Sequence, residues 1–219
     1  SRVYNYAIKM EHTHQNPWAK IERYSTPQRK VVWQHSDVIR FLDKAYSDYE
    51  YRNVGLIVQM AYEWCQRLGD MRTLQWENID LATRVLTLEQ SKRRADVSLP
   101  ISDELAVMLN EQRRDFGFQE YVVPHPKPTM GKYEPYAMER LSKVGRRVMR
   151  LAGLPEELRL MDLRRTGVTQ MIDSGVPMGQ LMSVTGHNNV SSVKPYMKHT
   201  YDSANNALTQ RNIRVQSST

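Results

Sequence analysis

The chain is predicted to be an α+β protein, mainly helical, with a small three-stranded antiparallel sheet. Three observations predict this class. Apolar residues recur at helical spacing in several separate stretches. Two short runs, RVLTLE and DVSLPI, alternate apolar and polar residues around the basic turn SKRRA. Residues that cap or break helices, among them Ser102, Gly175, Pro177 and Gly186, stand where the stripes begin and end.

In chain order, SRVYNYAIKMEHTHQNPWAKIERY reads as the end of a helix and then a linker broken at Asn16-Pro17. Ser36 is placed to cap a helix through VIRFLDKAY, with Asp37 in its first turn. Val38, Leu42 and Ala45 share one face of it. A second helix is expected from about Val54 to Gln66, with Val58, Ala61, Tyr62 and Cys65 inward and Gly69 permitting a sharp exit. The two alternating runs form a hairpin, and Ser102 caps a helix through LAVMLNEQRR. YVV at 121–123 supplies a third short strand. A long basic helix follows from about Tyr136 to Ala152. Leu141, Val144, Val148 and Leu151 form its stripe; Arg140, Lys143, Arg146, Arg147 and Arg150 surround it. Further helices run over Leu163–Ile172 and from Pro177 to Thr185. Val190–Met197 is a short helix or turn, and 203–211 a final short helix.

With 219 residues the chain can bury a substantial core and hold one or two domains. A net charge of +7 favours a polyanionic partner, nucleic acid first. No apolar run approaches membrane-spanning length and no secretion signal opens the chain. No membrane partner and a cytoplasmic address are therefore expected. Cys65 is the only cysteine, which excludes an internal disulfide and a thiolate metal cluster. His12, His14, His35, His125 and His199 are scattered, so neither a metal site nor a cofactor is expected.

Two stretches carry the chemistry. One is MDLRRTGVTQMIDSGVPMGQLMSVTGHNNVSSVKPY. The other runs from QRLGDMRTLQWENID to the turn SKRRA. Over about residues 10–205 they resemble the catalytic domain of tyrosine recombinases, the phage-integrase family. That family has an Arg-Thr pair near a helix start, a Gly-His pair, and a tyrosine nine residues after that histidine. Here Arg164, Gly186-His187 and Tyr196 fit. Arg165, directly before Thr166, stands where the family often has His. Arg67 matches the first arginine box, where Asp70 replaces the more usual Glu. Lys92 falls where the family's catalytic lysine hairpin lies. The resemblance implies the DNA breaking-rejoining catalytic core as the fold. It assigns residues 1–30 to the end of a core-binding domain and its linker, 31–200 to the catalytic domain, and 201–219 to a tail of the kind exchanged between neighbours.

It also implies the reaction. Tyr196 attacks a DNA phosphate, a 3′-phosphotyrosyl bond forms, and a 5′-hydroxyl later reverses the step without ATP. The residue types suit it. Arg67 and Arg164 carry planar five-donor forks that can hold both non-bridging oxygens. Losing one such donor is expected to cost about 3–4 kcal/mol of barrier. Lys92 can protonate the leaving oxygen, and His187 can move a proton or bind the phosphate. Asp70 can orient Arg67 or His187, or cap a short helix near Met71. Arg93, Arg94, Lys143, Arg146 and Arg147 are expected on backbone phosphates. Taken singly, each residue has an ordinary reading: a surface ion pair for an arginine, a packed or capping role for the histidine, a half-buried ring for the tyrosine. The implied partners are double-stranded attachment-site DNA and three further protomers in the synaptic complex, with this chain alone a monomer.

Met161 departs from the pattern, because the family usually has His three residues before the second arginine. On a helix, Met161 and Arg164 would share a face. A thioether cannot donate to phosphate, and a missing charge-assisted bond removes about 1.5–3 kcal/mol. This motivates an alternative reading: a DNA-binding protein with lost or weakened strand exchange. A type IB topoisomerase or a telomere resolvase is the related enzyme alternative.

Overall fold

The computed structural model describes residues 2–19, 29–92, 94–197 and 201–216. The chain divides into two compact units, Ser1–Lys30 and Val31–Thr219. The first contains helix α1 (Arg2–Lys9), none of whose residues is buried. Asn16 makes a local turn there: its Oδ1 accepts from the Trp18 amide at 3.0 Å, and its side-chain nitrogen donates to Asn5.

The second unit is built around helices α2 (His35–Tyr46) and α3 (Tyr49–Glu63). Ten residues of α3 between Tyr51 and Ala61 are buried, so it is covered on nearly all sides. The cap of α2 is Gln34 rather than Ser36, which lies one residue inside the helix. Asp37 explains the shift: its Oδ2 accepts from the Gln34 amide at 3.1 Å and so starts the helix two residues earlier. The exit from α3 also differs from expectation. The helix stops at Glu63, and the chain turns at Cys65, which has φ +52°. Gly69 instead lies inside the short helix α4 (Leu68–Arg72).

The sheet has the order β1 (Ile79–Asp80), β2 (Val85–Glu89), β3 (Asp96–Pro100), all antiparallel. Leu86 pairs with Leu99 and Leu88 with Val97, which puts four apolar side chains on the buried face. Alternation in the two runs thus sets both register and facing. The third strand is Ile79–Asp80, not 121–123. Val122 and Val123 are fully buried, but only Tyr121 forms a bridge, to Gln75. Burial made that run apolar without giving it a strand partner.

Helix α5 (Asp103–Phe116) is capped by Ser102, whose Oγ accepts from the Leu105 amide at 3.2 Å. Helix α6 (Met138–Leu151) buries Leu141, Gly145, Val148 and Met149, with Leu151 exposed. A single 3₁₀ turn, Leu160–Asp162, leads into α7 (Leu163–Asp173), and α8 (Met178–Thr185) follows. Helix α7 lies against the end of α3 because residue 167 is a glycine: a Cβ there would sit 2.3 Å from Cys65 Sγ. Two more 3₁₀ turns, Val190–Ser192 and Lys194–Tyr196, precede α9 (Tyr201–Gln216), which is longer than the expected 203–211. One large core joins α2, α3, the sheet, α5, α6 and the start of α7. A small separate cluster of Val168, Leu181 and Val193 carries Tyr196 at its edge.

Candidate active site

Arg67 is the residue before α4, in extended conformation, so its side chain leaves the backbone just after the Cys65 turn. Its Nη1 donates to Gln90 Oε1 at 2.9 Å and lies 3.5 Å from Asp70 Oδ2. Asp70 is buried in the middle of α4 and therefore does not cap it. Its Oδ1 accepts from the Ser91 amide at 3.3 Å and from Ser91 Oγ at 2.5 Å. One carboxylate thus faces Arg67 and anchors the β2–β3 turn.

Arg164 stands in the first turn of α7 and is only 8% exposed. Its Nη2 donates to the Thr185 carbonyl at 2.6 Å, and its Nη1 lies 3.5 Å from Gln66 Oε1. Burial pulls its pKa down to about 10, and the charge of Arg67 adds to the shift. Tyr196, Cys65 and Asp70 act the other way. The guanidinium remains a cation at neutral pH. Both arginines line one cavity of about 230 Å³, with Met161 and Met138 on its wall.

His187 follows Gly186, which ends α8 at φ +65°, a conformation that favours glycine. His187 is buried, and its Nδ1 is 2.6 Å from Thr185 Oγ1. That hydroxyl already donates to the Leu181 carbonyl at 2.8 Å. It therefore accepts from Nδ1–H, which makes Nε2 the basic nitrogen of the neutral ring. The His187 and Tyr196 rings are 6.0 Å apart, centre to centre. Arg165 Cζ lies over the Tyr196 ring, 5.0 Å from its centre, and its Nη1 reaches the Pro195 carbonyl at 3.4 Å. Arg67 and Arg164 thus share the cavity, Arg164 and His187 meet at Thr185, and Tyr196 stands beside His187.

Lys92 lies exposed on the β2–β3 turn, two residues after Gln90. Among the described residues its side chain forms no hydrogen bond or ion pair. Met161 is 72% exposed at the cavity wall. It belongs to the 3₁₀ turn before α7, so it shares a cavity with Arg164 rather than one face of an α-helix.

Of the residues expected on DNA phosphates, Arg94 and Lys143 are exposed, and Arg93 lies outside the described residues. Arg147 is exposed, with its Cζ 5.7 Å from the Tyr51 ring centre. Arg146 departs from the expectation. It folds back and donates to the carbonyls of Glu156 and Leu158, both at 2.9 Å. Its fork holds the loop after α6 together with Arg159, whose Nη1 donates to the same two carbonyls at 2.7 and 3.0 Å.

Sequence reasoning missed Gln66 and Gln90, both fully buried. Their only signal is position: Gln66 directly precedes Arg67, and Gln90 ends β2 just before the Lys92 turn. Among the described residues, no group of three or more His, Cys, Asp or Glu side chains could hold a metal ion, and no helix is long and apolar enough to cross a membrane.

Comparison with known proteins bears on the fold and the family. The family model described as the Phage integrase family matches residues 33–203. A candidate integrase/recombinase, y4gC of Sinorhizobium fredii (strain NBRC 101917 / NGR234), is 26% identical over 148 residues, 65% of this chain and 74% of its own. Among solved structures, the Tn1549 transposon integrase (R225K) with a circular intermediate DNA superposes with a TM-score of 0.71 at 16% identity, over 95% of this chain and 76% of its own. The XerA recombinase gives 0.66 at 16% identity, over 96% and 73%. A lambda integrase dimer bound to a COC' core site gives 0.67 at 19% identity, over 90% of this chain but only 56% of its own, so the chain spans little more than half of that protein. These likenesses establish the catalytic fold of tyrosine recombinases, and the family model, which covers most of the sequence, shows that the chain belongs to the phage integrase family.

Proposed function

We propose that this chain is the catalytic portion of a site-specific DNA recombinase acting through a 3′-phosphotyrosyl intermediate. The observation that carries this reading is the convergence of two oriented arginines on one cavity, with His187 and Tyr196 alongside. Two guanidinium forks suit the two non-bridging oxygens of a phosphodiester and the extra charge of its pentacoordinate transition state. Tyr196 Oη attacks phosphorus, and the P–O5′ bond breaks. Nε2 of His187 is the acceptor for the phenolic proton. Lys92, on its exposed turn, delivers a proton to the departing 5′-oxygen. In the second half-reaction a 5′-hydroxyl attacks the phosphotyrosine and releases Tyr196. Asp70 orients Arg67. Lys143, Arg94 and Arg147, together with Arg93, contact flanking phosphates.

The partners in this reading are duplex attachment sites and three further copies of the full-length protein. Support comes from the lambda integrase tetramer bound to a Holliday junction and the Tn1549 integrase bound to circular intermediate DNA, proteins of the same fold. Residues 1–30 are the end of a core-binding domain, 31–200 the catalytic domain, and 201–219 a tail. The protein works in the cytoplasm of a bacterium or phage-infected cell. Met161 favours one alternative, a DNA-binding protein whose strand exchange is weakened.

The test uses the junction DNA of the element that encodes the chain, with a bridging 5′-phosphorothiolate at the cleavage position. The wild-type chain is expected to form a metal-independent covalent adduct, and Tyr196→Phe none. Tight binding of that DNA with no adduct would overturn the enzymatic reading in favour of the DNA-binding one.

A further inference from the structure

Gln66 and Gln90 form a buried amide pair at the centre of the site. Gln90 Nε2 donates to Gln66 Oε1 at 2.5 Å and to the Thr185 carbonyl at 2.9 Å. Gln66 Nε2 donates to the carbonyls of Trp64, at 2.8 Å, and Val184, at 2.7 Å. The four amide hydrogens are therefore all used. The two amide oxygens face the arginines: Gln90 Oε1 accepts from Arg67, and Gln66 Oε1 lies beside Arg164 Nη1. A fully satisfied buried network of this kind is rigid, whereas a half-satisfied one would be costly.

Its position in the chain is as informative as its bonds. Gln66 adjoins Arg67, Gln90 is two residues before Lys92, and Thr185 is two residues before His187. Arg164 reaches the same knot through Gln66 and Thr185. The glycine at 186 completes the fit, because a Cβ there would meet three atoms of the Gln90 amide at 2.8 Å.

We propose that the Gln66–Gln90 pair is a positioning device that assembles the phosphate-holding cations before DNA arrives, and does so with neutral acceptors. This rests on the recombinase reading above. The neutrality is the second part of the inference. A glutamate at either position would also accept from an arginine, but as a buried anion it would form a charge-assisted pair and compete with phosphate. It would also lack the amide donors that now bond the Thr185 and Val184 carbonyls. An amide fixes the direction of each fork and leaves its charge for the substrate.

Two measurements on the whole chain test this. The first is nitrogen NMR of the arginine side chains without DNA, which reads restricted rotation of a hydrogen-bonded guanidinium. Arg67 is expected to give separate, restrained Nη signals in the wild type, collapsed signals in Gln90→Ala, and restrained signals again in Gln90→Glu. Unchanged Arg67 signals in a folded Gln90→Ala would overturn the positioning role. The second is single-turnover cleavage of the phosphorothiolate DNA. Both variants are expected to cleave about 10- to 100-fold more slowly than wild type, Gln90→Ala because the group that orients Arg67 is lost and Gln90→Glu because an anion competes with phosphate for it. DNA affinity should stay within about threefold, since phosphate contacts outside the site are untouched. Wild-type cleavage by Gln90→Glu would overturn the argument for neutral acceptors. If Gln90→Ala does not fold, the restrained signals and slow cleavage of Gln90→Glu carry the test. If the wild type itself forms no adduct, the recombinase reading fails while the NMR result still decides the positioning role.

Discussion

The two halves of the site are built differently. Arg67 and Arg164 sit where α3, α4, α7 and the β2–β3 hairpin meet, next to the large core, and each fork is held on one side by a buried acceptor. Tyr196 sits on one of two consecutive 3₁₀ turns, packed on a cluster with only three fully buried members. On the proposed recombinase reading, the contrast follows from what each half must do. Cations that stabilise a transition state are effective when they need no rearrangement at the moment of reaction. A nucleophile that is consumed and then regenerated must move with the phosphate it carries. Few buried contacts and short turns put such a segment at the low-stability end of a fold.

The largest effect is expected on the arginine side. Arg164→Ala should lower single-turnover cleavage by about 10²–10³-fold, as for removal of one preorganised donor. Arg164→Lys should recover little, because a point charge cannot span the Thr185 carbonyl and a phosphate oxygen together. A loss below about tenfold in Arg164→Ala would mean that the preassembled half does not dominate the barrier.

A pair of core truncations sharpens the contrast. Leu56→Ala, in fully buried α3, should cost about 2–5 kcal/mol of global stability. Val193→Ala, fully buried in the small cluster, should cost at most about 1.5–3 kcal/mol. Hydrogen exchange tells them apart. Val193→Ala should speed exchange over residues 190–197 and leave the α3 amides as they are, whereas Leu56→Ala should speed both. Equal acceleration of α3 by the two variants would show one cooperative unit, and the division drawn above would be wrong.

The parts of this architecture that were legible in the sequence are those governed by local rules. Alternation announces the hairpin, Ser102 caps α5, and Gly186 ends α8 in the left-handed conformation. The spacing from His187 to Tyr196 singles out a pair whose rings do approach. The failures come from places where tertiary structure overrode local preference. Gln34 caps α2 because Asp37 reaches back, although glutamine is not a favoured cap. Cys65 turns the chain in a conformation no cysteine advertises. The run at 121–123 is apolar because it is buried, and it reads as a strand for that reason alone. Gln66 and Gln90 lie 24 residues apart and carry no periodic signal, so only their contact reveals them.

Met161 bears on the arginine half from outside. It lines the same cavity as Arg67 and Arg164 but supplies no donor to an oxyanion. Met161→His should therefore raise the cleavage rate, by about 10- to 150-fold if the full 1.5–3 kcal/mol of a charge-assisted bond is recovered. The measurement is single-turnover cleavage at saturating DNA, where a change in binding does not register. No gain would mean that the other cations already satisfy the phosphate, and the missing-donor account would fall.

The smallest effect is expected where the two halves touch. Arg165 belongs to α7, in the arginine half, yet its guanidinium covers the Tyr196 ring at 5.0 Å and reaches the Pro195 carbonyl at a long 3.4 Å. A cation over a partly exposed ring is worth about 0.5–1 kcal/mol, and a hydrogen bond of that length adds little. Arg165→Ala should therefore release Tyr196 only modestly, slowing cleavage about two- to fivefold. Arg165→Lys, which keeps the cation over the ring, should fall between the variant and wild type. A hundredfold loss in Arg165→Ala would carry a different meaning: Arg165 would have to act on the reacting phosphate, making good the donor that Met161 lacks. The boundary between a rigid arginine half and a yielding tyrosine half would then run through Tyr196 itself rather than between α7 and the turns that follow Gly186.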